Sequence, residues 1–158
     1  MKIKHNVFDW AALGLSFAAC LAAGILLLIR WKEIPEKVAT HFSMNGEANG
    51  FSNKSMLLII LAVAAGLVLL FQIIMHFPGL WNFPIEITDR NRYTVYRLGK
   101  YMMDTMMLVI AVGFSTMLIY MTCEKSVPSW LLFTFLGAIM GGGLIWTIII
   151  TVKGKADA

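Results

Sequence analysis

Four long apolar runs alternate with three polar connections, and this alternation predicts the architecture. Ala11 to Ile29 holds 19 residues without a charge, enough for a helix to cross a hydrocarbon core of about 30 Å. Met56 to Phe77 is a second run, broken only by Gln72 and His76 near its end. Thr105 to Thr122 and Pro128 to Val152 complete the set. Charges and Trp or Tyr flank each run (Trp10, Trp31, Trp81, Tyr101, Tyr120, Trp130, Trp146), as aromatic side chains do at headgroup level. The pattern therefore predicts an all-α integral membrane protein of four transmembrane helices. The expected spans are 11–29, 56–77, 105–122 and 128–152, in one membrane domain over 1–158. A 30–54 connection forms a small structured extracytoplasmic loop between helices 1 and 2, and 78–104 forms an inner loop.

Composition agrees with the pattern. Of the 158 residues, 59% are hydrophobic and 14% charged, with a mean hydropathy of +0.76. A soluble domain has about 45–50% apolar and about 25% charged residues, so this chain lacks the polar groups to cover a water-exposed surface. That excludes a conventional soluble enzyme and a nucleic-acid-binding domain. The net charge of +4 follows instead from topology. Eight Lys and Arg lie at the termini and in the inner loop (Lys2, Lys4, Arg90, Arg92, Arg97, Lys100, Lys153, Lys155), against five outside (Arg30, Lys32, Lys37, Lys54, Lys125). By the positive-inside rule both termini are expected on the cytoplasmic side and the first loop outside. Lys2 and Lys4 before Phe17-Ala18-Ala19-Cys20 mimic a lipoprotein signal, but nine apolar residues follow Cys20 before Arg30. An uncleaved anchor is the expectation. Cys20 and Cys123 fall at different depths and are not expected to pair.

The outer loop reads RWKEIPEKVATHFSMNGEANGFSNK. Pro35 stops the first helix. Val38 to Phe42 suits a strand, with Val38, Thr40 and Phe42 on one face and His41 on the other. Asn45-Gly46 and Asn49-Gly50 are turn dipeptides, and Ser52 or Ser55 is placed to cap the second helix. In the inner loop Thr88 is the expected N-cap, with Asp89 in the first turn.

These residues resemble the DUF1648 family, the N-terminal domain of SdpI-like bacterial immunity and signalling membrane proteins. Pro35, His41-Phe42, Gly46-Glu47, Gly50 and Lys54 carry the likeness. Asn82-Phe83-Pro84, Thr88 and Asn91 are similar to the family's second short motif. The likeness spans roughly 10–100, and the four-span length is that of the short members. One position departs: Asn49 stands where the family usually has an acidic residue. The resemblance implies a membrane protein that binds a peptide toxin or a signalling partner.

His41, Asn45, Glu47, Asn49 and Lys54 are thus the candidate outer contacts. The same His41 and Glu47 suit a second reading, a membrane-embedded metallohydrolase, with Glu33, Glu36 or Glu124 as further ligands. Zinc needs three or four protein ligands, and the loop offers no Cys and no second His, so no metal or cofactor is expected. The plainest reading has His41 and Glu47 holding the loop's shape, and Lys54 anchoring at the interface by snorkelling. Asn82, Arg90, Asn91, Arg92, Arg97 and Lys100 are the candidate inner contacts for lipid or a cytoplasmic regulator. Asp104, at the entry of the third span, reads as a helix-start carboxylate favoured by the dipole. Met102, Met103, Met106 and Met107 read as packing rather than a copper site. Gly137 and Gly141 present a small-residue face for helix packing or a homodimer. The spans hold almost no ionisable residues, which counts against a pump, and leaves a channel or transport accessory as a third reading.

Overall fold

The computed structural model describes residues 3–43, 45, 47–123 and 127–158. Lys2, Gly46, Glu124 and Lys125, each invoked above, lie outside the described residues. Helix α1 runs Val7–Arg30, strand β1 Lys37–Phe42, strand β2 Ala48–Asn53 and helix α2 Ser55–Met75. A 3-10 turn at Pro78–Leu80 leads to helix α3, Arg92–Thr122, and helix α4 is Ser129–Ala156. All four helices are long and apolar enough to cross a membrane, and the fold is that of a multi-pass helical membrane protein with a small hairpin between its first two helices.

Local chemistry sets the boundaries. Asn6 opens α1 by a reciprocal box: its side chain accepts from Asp9 N at 3.1 Å while Asp9 Oδ2 accepts from Asn6 N at 2.7 Å. This satisfies two N–H groups that a helix start would leave orphaned. Pro35, just past the helix's end, cannot continue it. The start of α2 differs from expectation. Lys54 occupies the cap position without a side-chain bond, and the amide of Ser55 donates instead to Asn53 Oδ1 at 2.9 Å. Ser52 is unavailable because it pairs across the hairpin, accepting from Thr40 Oγ1 at 2.9 Å. Likewise Thr88 caps only the turn before α3, taking the Asn91 amide at 3.3 Å, and the helix begins at Arg92.

Helix α3 is the centre of the bundle, packed against α1, α2 and α4, whereas α4 packs extensively on α3 alone. Its 31 residues extend about 46 Å at 1.5 Å per residue, well beyond a hydrocarbon core. The surplus lies at its start, where Arg92 to Lys100 form the end of the bundle remote from the hairpin, called here the distal end. One core cluster, at the hairpin end, gathers Leu27, Ile34, Val38, Leu57, Leu118 and Val127. The other gathers Ala12, Cys20, Ala64, Val68, Trp81, Met107 and Ala111. Trp81, expected in an aromatic belt, is core instead; its Nε1 donates to Ile74 O at 2.9 Å. Cys20 and Cys123 are both free. Met107 is fully buried, and its sulfur accepts from Gln72 Nε2 at 3.3 Å, which is a packing role.

Glycine in α3 lets α4 approach. A Cβ at Gly113 would stand 2.3 Å from the Phe135 ring, whereas Gly137 and Gly141 face open space within the single chain. Without a hydrophobic drive between helices in lipid, such close packing holds them together. Gly113→Leu should therefore lower stability by about 1–3 kcal/mol through forced displacement of Phe135, with Gly141→Leu near neutral in the monomer. Thermal unfolding of both variants in detergent checks this, and equal melting temperatures would contradict it.

Candidate functional site

The two ends of the bundle carry different chemistry. At the hairpin end β1 and β2 pair antiparallel, with Val38 opposite Ser52, Ala39 opposite Phe51 and His41 opposite Gly50. The register breaks on either side of His41. Val38 is buried against the bundle while His41 is exposed, as the alternation of a strand requires. His41 Nδ1 meets Asn49 Oδ1. A carboxamide oxygen only accepts, so His41 carries its proton on Nδ1 there. Asn49 thus stands where an acidic residue would also pair with His41, and the neutral amide makes the same contact. A Cβ at position 50 would stand 2.8 Å from His41 Cβ, which explains why glycine sits opposite this histidine.

The rest of the loop is tied by short-range bonds. Ser43 donates to Asn45 and, through its amide, to Glu47 O at 2.9 Å. Asn45 Oδ1 also accepts the Glu47 amide at 3.3 Å. The Glu47 side chain is exposed at the tip. Lys54 does not simply snorkel: its Nζ lies 2.9 Å from Glu36 Oε1 and 5.3 Å from the Trp31 ring centroid. That contact holds the Glu36 carboxyl below its usual value. Among the described residues, no group of three or more His, Cys, Asp or Glu side chains is placed to hold a metal ion.

The distal end divides the candidate inner contacts into two groups. Asn82, Arg90 and Arg92 are exposed, and Arg92 pairs with Asp89 at 2.9 Å. Asn91, Arg97 and Lys100 are buried and bond within the chain. Asn91 donates to Glu86 O and Gly154 O, both at 3.0 Å, stapling this loop to the end of α4. Arg97 and Lys100 converge on Asp9, a residue the sequence reading passed over. The Arg97 guanidinium grips both Asp9 oxygens at 3.0 and 2.9 Å, and Lys100 Nζ donates to Oδ2 at 2.9 Å. Arg97 also donates to Lys4 O at 2.9 Å and lies 4.2 Å from the Tyr101 ring centroid. Tyr101 in turn accepts from Asn6 Nδ2 at 2.7 Å.

Asp104 follows Lys100 by one turn, well inside α3 rather than at its start, so the dipole argument does not apply. It is 1% exposed, and its Oδ2 has no partner among the described residues. Asp9, Arg97, Lys100 and Asp104, all buried at this end, lie just outside the apolar spans 11–29 and 105–122, which themselves hold no charged residue. Two spacings in the chain foreshadow the cluster: Asn6-x-x-Asp9 is a capping-box pattern, and Arg97 and Lys100 share a helix face at i, i+3.

This combination defines a four-helix membrane protein with an exposed hairpin at one end and a buried ionic cluster at the other. Residues 18–66 match the family described as Domain of unknown function (DUF1648), a match that takes in the hairpin residues. The matched stretch holds just over half of α1, the hairpin and just over half of α2. It excludes Asp9, the 82–91 motif and the distal cluster. A search of curated proteins and a search of solved structures returned no match.

Removing one member of a buried ion pair leaves the other charges uncompensated, at a cost of about 3–5 kcal/mol. Asp9→Asn should destabilise by roughly that amount, and adding Lys100→Met should recover part of it. Thermal unfolding checks both, and an unchanged Asp9→Asn melt would contradict the cluster's role. His5, whose Nδ1 lies 3.1 Å from Lys100 Nζ, is held below its ordinary value of 6.5 by partial burial and next by that ammonium. The unfolded chain then binds the proton more readily, so this contribution to stability rises with pH through the ordinary imidazole range and falls below it. Melting curves between about pH 5 and 8 should show a steeper acid loss for the native chain than for His5→Gln.

Proposed function

We propose that this protein is a binding protein of a bacterial cytoplasmic membrane, with both termini inside and the hairpin outside. Its role is SdpI-like, toxin immunity or membrane signalling, and its outer ligand is a secreted peptide. The observation carrying this reading is the open edge of β2. The sheet has two strands only among the described residues. A lone hairpin is marginal in water, but Val38 and Ile34 root this one in the core. Its backbone edge is free to pair with an extended chain, the recognition mode of β-strand addition. Phe51 on β2 is 64% exposed and supplies an apolar contact beside that edge, with Asn45 and Glu47 at the tip. His41, Asn49 and Lys54 hold the hairpin in shape. Arg90, Arg92 and Asn82 form the exposed inner face for a cytoplasmic regulator or anionic lipid.

Photo-crosslinking in living cells, with probes at Phe51 and at Tyr93, tests the reading. A discrete adduct with a small secreted peptide at Phe51 is expected. With the probe at Glu47, Phe51→Asp should weaken capture at least ~10-fold at unchanged protein level. Lipid adducts alone at both positions would refute peptide binding.

A further inference from the structure

Beside the ionic cluster, where the N-terminal segment passes the end of α2, lies a cavity of about 340 Å³. Lys4, His5, His76 and Lys100 line it together with Met75 and Pro78, and no Asp or Glu is in the lining. Lys100 is only 2% exposed, so it is a fixed cation rather than a surface chain sweeping through water. Of its three N–H groups one goes to Asp9 Oδ2 and one to His5 Nδ1, which leaves one for a ligand. Asp9, the nearest carboxylate, is already shared between Arg97 and Lys100. His76 is fixed through Nδ1, 2.7 Å from Gln72 O. A carbonyl only accepts, so Nδ1 carries the hydrogen and Nε2 of the neutral ring is an acceptor.

The cavity therefore offers the Lys4 and Lys100 ammonium groups on one side and apolar surface, from Met75 and Pro78, on the other. It sits at the ends of α1 and α2, where two membrane-crossing helices leave the hydrocarbon layer. We infer that this cavity binds the phosphate of an anionic phospholipid headgroup, with Lys4 and Lys100 as the charged contacts and the glycerol side against Met75 and Pro78. Attraction of basic groups to anionic lipid at a membrane surface is general. Here a buried lysine in a formed cavity converts it into a discrete site of defined stoichiometry. This inference is independent of what the hairpin binds.

The test uses the full chain purified in a neutral detergent and titrated separately with phosphatidylglycerol, phosphatidylcholine and inorganic phosphate. Thermal shift and lipid retained in native mass spectrometry are read out. Phosphatidylglycerol should raise the melting temperature saturably, with one lipid retained, while the other two leave it unchanged. Lys100 is unsuitable for substitution because it neutralises Asp9. Lys4 gives Arg97 only its backbone carbonyl, so Lys4→Gln with His76→Gln keeps the cluster and should weaken lipid binding at least ~10-fold. Lys4→Arg should retain it. Equal stabilisation by phosphatidylcholine, saturation by inorganic phosphate in place of lipid, or unaltered lipid binding in the double variant would each overturn the assignment.

Discussion

The carboxylate of Asp9, wholly buried and held by two cations, is the constraint on which the distal end of the bundle depends. A lone ion at such a site is costly to desolvate. Its lone pairs are met by the Arg97 fork, by Lys100 and by the Asn6 amide, so the geometry must be kept as a unit. That requirement fixes α1 against α3 in register. It also orders the segment before α1, because Arg97 reaches back to Lys4 O and Lys100 to His5. The cap of α1, the packing of α1 on α3 and the shape of the neighbouring cavity all depend on one buried charge.

The opposite end is organised by packing and short hydrogen bonds. Ile34 and Val38 plug into the core, and Lys54 closes the base of the hairpin onto Glu36. His41, Asn49 and Gly50 then maintain one another across the strands. Most of the residues that carry this loop's likeness to DUF1648 are thus occupied in building it. What remains for a partner is the strand edge, Phe51 and the tip, and these owe their placement to the rooted scaffold beneath them.

Helix α4 relates to the rest differently. Its broad exposed face, including Leu136, Met140, Leu144 and Ile148, suits hydrocarbon, and its hold on the bundle comes from α3 with the Asn91 staple at its end. Small residues bring it close at Gly113 and Gly142, where Phe135 and Met106 fill the space. In lipid this contact area, rather than burial from water, keeps a helix in place.

The sequence alone specifies four spans, the structured connection after the first, and the strand through His41, because unbroken apolar runs and turn dipeptides act locally. It also marked the resemblance in the loop, since those residues are close neighbours along the chain. It did not reveal the Asp9 cluster. Asp9 lies two residues before the apolar run and its partners about ninety residues further on, and the inner-loop basic residues look alike in one dimension. Only the tertiary structure separated exposed Arg90 and Arg92 from buried Arg97 and Lys100, because helix phase and the arrival of α1 decide which cation meets a carboxylate and which meets water.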